Sequence, residues 1–337
     1  LGHVIRTSRI AEAFKRLRSD VDIFFVTNTK YDAYLKKHYK TYTLKKDTRE
    51  VIEGRYPYEE YLRYNARSIS KIMAHELPDA ALFDCELNTE LLLFCRKNSI
   101  KAIYVLRITT PDRFRDIRRY LALFDSVIVP HDEGEFPVDQ RSFLRGISAE
   151  FVGPIIDVHD YPEGTTRKNV LITLGSGAGI PENRPLFSAV DSFLAYLRNH
   201  GNLIGQHVVE VDIVTGPFYE GGCDLSGVKV RRISENLARD MHNARVVISG
   251  AGYNTINEII QTKTPAVVIP LSRRWEDQYQ RAQVLERLGC IKIARAGILD
   301  PIRGIFNNWG SYHSQFPPIR SGNMKAAGIL SEALYCE

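Results

Sequence analysis

The 337-residue chain lacks any uninterrupted apolar run long enough to cross a bilayer, about 18 residues or more, so no membrane-spanning helix is expected. No basic stretch followed by an apolar segment opens it, so no secretory leader is expected. Cysteine is scarce: five residues, none at metal-type spacing, argue against a zinc site and for reduced thiols in a cytoplasmic setting. Cys85 and Cys95 stand in apolar surroundings and read as buried neutral thiols. An excess charge of one sign is also missing, because 45 Lys and Arg against 40 Asp and Glu leave only +5. No aromatic and basic stacking pattern accompanies the arginines, which excludes nucleic acid as a partner. Low-complexity tracts and internal repeats are absent, and the apolar fraction of 44% suffices for two substantial cores rather than a disordered chain.

Strands and helices alternate along the chain, the pattern of an α/β protein with doubly wound parallel sheets. Helices are expected at 5–17, 58–75 and 88–97, and strands at 21–27, 80–83, 101–106 and 126–129. Together these form a Rossmann-like domain over 1–155. A polar stretch at 157–168 reads as a linker. A second Rossmann-like domain over 169–315 takes strands at 169–174, 208–215, 228–231, 245–249 and 265–269. Residues 301–318 read as an irregular connection. The tail, 316–337, carries a helix with Ala326, Ile329, Leu330 and Ala333 on one side, expected to cross back towards the first domain. Trp309 and Tyr312 either line a pocket or pack beneath a loop.

The stretch from Ser249 to Glu258 reads as strand, glycine turn and helix. Val246, Val247 and Ile248 supply the strand, and Gly250 and Gly252 relieve the turn of Cβ restrictions. Ile256, Ile259 and Ile260 give the helix its apolar side. Main-chain N–H groups at such a helix start favour an anion, commonly a phosphate. A second loop, Gly175-Ser176-Gly177-Ala178-Gly179, follows the apolar strand ending at Leu174. Alone it reads equally as a structural turn; paired with the first it points to a diphosphate. Ser176, Gly177, Gly250, Gly252, Asn254 and Thr255 are then placed to stabilise a departing nucleoside diphosphate without a metal.

This block resembles the nucleotide-sugar half of glycosyltransferase family 28, the family of the lipid-linked N-acetylglucosaminyltransferase of cell-wall synthesis. The likeness runs from about Gly175 to Gly289 and rests on the Gly-Ser-Gly loop, Gly-Tyr-Asn-Thr-Ile-Asn-Glu, a Pro-bounded apolar strand and Asp-Gln. It implies a GT-B fold, two Rossmann-like domains facing across a cleft. It implies further that Glu258 holds the ribose hydroxyls and that Asp277 and Gln278 touch the donor sugar. The segment 232–237 would contact the nucleobase largely through its backbone, with Ile233 or Leu237 packing on the ring and uridine as the default base. Arg281 stands where the family often has Asn, so the donor sugar does not carry over.

Leu1-Gly2-His3-Val4-Ile5-Arg6 resembles the family's first glycine-rich loop, although no strand precedes it. The expectation is that upstream residues supply that strand and that Gly2-His3 ends a longer turn. His3 is the candidate base, since inverting transfer needs a group that takes the acceptor's proton, and imidazole titrates in the useful range. Its alternative is a capping role. His131 and Glu133 form a second candidate on a loop otherwise read as merely polar, and Arg6 and Arg107 are acceptor-side candidates. Arg113, Arg115, Arg118 and Arg119 lie on an amphipathic helix whose basic face is either solvated or a peripheral membrane contact. Asp20-Val21-Asp22 has an Asp-x-Asp spelling in the wrong place, so no metal and no cofactor are expected.

The sequence therefore points to an inverting glycosyltransferase taking a UDP-sugar or another nucleotide sugar to an unidentified acceptor hydroxyl, in the cytoplasm or at a membrane face. The alternatives are a nucleotide-sugar hydrolase similar to that of pseudaminic acid synthesis, which the Gly-His-x-x-Arg start matches, and a non-catalytic nucleotide-sugar-binding subunit.

Overall fold

The computed structural model describes residues 2–29, 32–44, 57–161, 167, 169–177, 181–273 and 276–335. The chain divides into two compact units, Leu1–Asp157 with Ser321–Glu337, and Val158–Arg320.

The first unit holds a four-stranded parallel sheet in sequence order, Ala80–Asp84, Lys101–Val105, Ser126–Val129 and Ala149–Phe151. Successive side chains of a strand face opposite ways, so Tyr104 packs with Leu92, Cys95, Ile117 and Phe124 while Ile103 and Val105 pack on the other face. That second face is closed by Ile10, Ala13 and Phe14 of the helix Gly2–Leu17 and by Ala326, Ala327, Ile329 and Leu330 of the helix Asn323–Tyr335. The returning tail is pinned where it enters. Gly322 N–H donates to the Pro154 carbonyl at 2.7 Å, and Ser321 Oγ donates to that of Ile156 at 2.7 Å. A Cβ on Gly322 would stand 2.6 Å from the carbonyl oxygens of Val152 and Gly153, so only glycine allows this approach. The expected strand at 21–27 is shorter, Phe24–Thr27, and forms its own parallel pair with Lys40–Thr43. Gly2 and His3, expected at the end of a loop, lie in the first turn of a helix instead.

The second unit is a six-stranded parallel sheet in the order Lys229–Arg231, Val211–Val214, Asn169–Thr173, Ala244–Gly250, Ala266–Ile269, Ile291–Ile293. Numbered within the unit this is 3-2-1-4-5-6, the doubly wound arrangement whose order reverses between the first and fourth strands. Its near-continuous apolar strands are covered on both faces. Val170, Ile172, Val246 and Ile248 point one way, Leu171, Val247 and Val268 the other. The expected strand at 208–215 is two pieces, a short hairpin strand His207–Val208 and the sheet strand Val211–Val214.

Residues 301–318 are not irregular: helices Leu299–Asn307 and Trp309–Ser314 occupy most of them. Pro301 stands in the first turn, where its missing N–H breaks no helical bond, so the proline misled the reading. Trp309 packs under the sheet, its Nε1 donating to the Arg245 carbonyl at 2.7 Å. Among the described residues no helix is long and apolar enough to cross a membrane.

Candidate functional site

In the second unit the two glycine turns follow neighbouring strands at the point where the strand order reverses, with Thr173 and Ser249 in register. Ligands of doubly wound sheets bind at such points. After Gly250 the chain turns through Ala251 into the helix Tyr253–Thr262, with Gly252 as its N-cap. Neither Gly250 nor Gly252 takes a left-handed conformation. Space, not backbone freedom, is what they provide: a Cβ on Gly250 would press Leu271 Cδ1 at 3.2 Å, whereas Gly252 leaves the helix start bare of a capping side chain. Asn254 and Thr255 lie in the first turn, and Glu258 follows one turn on, only 7% exposed.

The first glycine turn is built differently. Gly175 and Gly177 have φ of +65° and +72°, and a Cβ on Gly177 would stand 2.1 Å from the Thr215 carbonyl oxygen. Gly177 N–H donates to the Leu174 carbonyl at 3.1 Å and Gly175 N–H to Thr173 Oγ1 at 3.3 Å. Those two amides are thus engaged within the turn and not directed to an anion. Ala178 and Gly179 lie outside the described residues.

The loop after Ile269 is tied to the second turn. Gln278, expected at the donor sugar, is 4% exposed, and its amide oxygen accepts from Ala251 N–H at 3.2 Å and Leu271 N–H at 3.0 Å. It braces two main chains. Asp277 caps the helix Gln278–Arg287, accepting from Gln280 N–H at 2.9 Å. Arg281 reaches back to the Ala251 carbonyl at 2.9 Å and to Glu276 Oε1 at 2.7 Å. In the segment proposed for the nucleobase, Ile233 is 50% exposed, and Leu237 opens a helix capped by Asn236. Arg232 holds that segment to the Pro217 carbonyl at 2.7 Å.

In the first unit, Asp84 ends its strand, and Arg107 and His131 follow the carboxyl ends of the next two. Asp84 is the meeting point. Arg6, 1% exposed, clasps it with Nη2 at 2.6 and 2.9 Å and Nε at 3.1 Å, and His3 Nδ1 lies 3.0 Å from Asp84 Oδ2. Burial pushes the Asp84 carboxyl up, but the charge of Arg6, then those of His3 and Arg107, outweigh it and hold Asp84 well below the usual carboxylate range. Desolvation lowers the proton affinity of His3, Asp84 opposes it, and Arg6 and Arg107 act with it. The His3 side chain nevertheless remains 56% exposed, which keeps its desolvation partial. Donation from Nδ1–H to Asp84 leaves Nε2 with the lone pair, the arrangement a general base requires.

Cys85 adjoins this group at φ +61°, its sulfur 3.2 Å from Arg107 Nε, with burial pushing the thiol up. His3, Asp84 and Cys85 bring three ligand-type atoms within 4.8 Å of one another. Arg6 is forked onto Asp84 and Arg107 donates to Cys85, so two guanidinium groups already engage these atoms.

A family model described as the glycosyltransferase family 28 C-terminal domain matches residues 184–301. The second unit carries a family 28 glycosyltransferase domain. Among curated proteins the chain is 24% identical over 162 residues to a UDP-N-acetylglucosamine--N-acetylmuramyl-(pentapeptide) pyrophosphoryl-undecaprenol N-acetylglucosamine transferase of Prochlorococcus marinus, covering 45% of this chain and 42% of that protein. The chain thus spans less than half the length of the curated relatives it matches. Two solved structures align over nearly everything. The glycotransferase of kitacinnamycin has a TM-score of 0.69 at 15% identity, covering 96% of this chain and 95% of that one. The UDP-GlcNAc 2-epimerase of Neisseria meningitidis, bound to UDP-GlcNAc, has 0.61 at 13%, covering 99% and 96%. At such identities the likeness establishes the fold, GT-B, with two Rossmann-like units in one chain.

Outside the family 28 domain, the second base candidate is corrected. His131 is 3% exposed, its Nε2 accepts from Ile108 N–H at 3.2 Å and its Nδ1 faces Glu135 at 3.4 Å, so both ring nitrogens are engaged in structure. Glu133 lies in a short 3-10 turn whose carbonyl accepts from Arg141 at 3.3 Å. The arginine-rich helix Pro111–Leu121 buries Phe114, Ile117 and Leu121 and pairs Arg115 with Asp112 at 3.2 Å. Sequence reasoning missed Asp84. The signal was present: a carboxylate ending an apolar strand sits where α/β sheets gather their functional groups.

Proposed function

We propose that this chain transfers a sugar from a nucleoside diphosphate sugar, a UDP-sugar by preference, to an acceptor hydroxyl with inversion at the anomeric carbon. The observation that carries the reading is the family 28 domain with its glycine turn and uncapped helix start at the point of strand-order reversal. Main-chain donors there suit the charge that grows on the leaving diphosphate, and no metal step is invoked. His3, oriented by Asp84, takes the acceptor's proton at Nε2 as the hydroxyl attacks. The relative from Prochlorococcus marinus, named for UDP-N-acetylglucosamine, supports the choice of nucleotide. Asp277, Glu258, Ile233 and Leu237 line the donor side of this reading, and Arg107 the acceptor side.

The test incubates the purified chain with a panel of UDP-, dTDP- and GDP-sugars, with and without acceptor alcohols. Release of nucleoside diphosphate that depends on acceptor, with an inverted glycoside by NMR, is the expected result. Fast free-sugar release without acceptor makes the protein a hydrolase, and nucleotide binding without turnover makes it a binding subunit. Either result overturns the transferase reading.

A further inference from the structure

Arg281 is an unusual residue to find buried beside the second glycine turn. It is only 8% exposed. Its Nη1 holds the Ala251 carbonyl and Glu276, yet Nε and Nη2 are buried without a hydrogen-bond partner among the described residues. A buried N–H without an acceptor costs about 1–3 kcal/mol, more when the group is charged, so natural folds rarely leave two on one side chain. Its counter-ion is shared too, since Glu276 also accepts from Gln278 Nε2 at 3.3 Å.

Position gives the half-satisfied guanidinium a meaning. Ala251 immediately precedes Gly252, the N-cap of the helix Tyr253–Thr262, and the guanidinium carbon lies 5.8 Å from the centre of the Tyr253 ring. The Arg281 cation, paired on one edge with Glu276, therefore lies against the turn that leads into a helix start whose own partial charge already favours an anion. The charge adds to that field, and it acts through low-dielectric surroundings where screening is weak. Arginine also does what lysine cannot: one planar group ties the 250–252 turn to the 276–278 segment.

We propose that Arg281 is a positioning residue of the donor site that fixes the glycine turn through the Ala251 carbonyl and supplies the charge that makes the site prefer a nucleoside diphosphate over a monophosphate. The proposal rests on the reading of this turn as the diphosphate site.

The experiment is isothermal titration of the intact chain with UDP and with UMP, at low and physiological salt. Arg281→Met should cut the UDP-to-UMP affinity ratio about tenfold, about 1.4 kcal/mol, and Arg281→Lys should keep part of it. Glu276→Gln removes the counter-charge and should raise the ratio. A bridge that is only structural weakens both nucleotides alike in all three variants, and that result overturns the assignment. If Arg281→Met does not fold, as judged by circular dichroism, Glu276→Gln decides: a raised ratio supports the proposal and an unchanged or lowered one rejects it. Wild-type protein that binds UDP with an unaltered ratio in Arg281→Met sinks Arg281 alone. Wild-type protein that binds neither nucleotide sinks the diphosphate site and this proposal together.

Discussion

Replacing Asp84 with Asn keeps the shape of the side chain and removes its charge. Arg6, 1% exposed, then retains a buried cation whose three carboxylate contacts, at 2.6, 2.9 and 3.1 Å, are lost or reversed in sign. Breaking one partner out of a buried ion pair costs about 3–5 kcal/mol, chiefly because the remaining charge stays desolvated. The double variant Arg6→Met with Asp84→Asn removes that penalty and should recover at least about 2 kcal/mol of the summed single losses. Urea denaturation should be read by hydrogen exchange in peptides from the first unit, which reports on that unit alone. A pH series supplies the sign. Asp84 has a folded proton affinity below its unfolded one, so its stabilisation is present above the ordinary carboxylate range, about pH 4, and is lost as pH falls through the folded value. The gap between wild type and Asp84→Asn should therefore be full at pH 7 and shrink below about pH 4. A loss under about 1 kcal/mol at pH 7, or a gap that does not close in acid, would refute the pairing as the mainstay of this corner.

Two further outcomes follow from the geometry. His3→Ala should lower kcat by about 10²–10⁴-fold while leaving donor affinity unchanged. In wild type kcat/KM should fall on the acid side with a midpoint below about 6.5, because a base must be unprotonated and the protein lowers the proton affinity of this imidazole. Full turnover in the variant rejects the base assignment, and a midpoint above that value rejects the lowered proton affinity. The two left-handed glycines of the first turn should separate under mutation. Gly175→Ala meets nothing within 4 Å and should cost about 1 kcal/mol, whereas Gly177→Ala drives a Cβ to 2.1 Å from a backbone oxygen and should unfold the second unit or lower its thermal midpoint by many degrees.

Much of the second unit could be read from sequence because its physics is local. Continuous apolar strands, glycine at turns and a 3.6-period helix face each announce themselves within ten residues, and together they placed the 246–262 segment correctly. The edge strand Ile291–Ile293 was not read from the sequence. The His3 and Asp84 pair escaped because it is not local. Its members are 81 positions apart, and nothing in either neighbourhood specifies the other. His131 shows the converse limit, since a histidine on a polar loop looks available until the fold supplies partners to both of its nitrogens. Gln278 fell between the two cases: its place in the loop was legible, but its use as a brace depended on where the Ala251 and Leu271 amides came to lie.

The tail that closes the first unit reverses the order in which synthesis can finish the molecule. Every strand of the 169–293 sheet leaves the ribosome before residues 323–335 do, so the later-coded unit can complete its core first. The earlier-coded one must wait with the part of its core that Ala326, Ala327, Ile329 and Leu330 complete still open. During that interval it presents a greasy, chaperone-attracting face, and proteolytic clipping near Gly322 should return the mature protein to the same exposed condition.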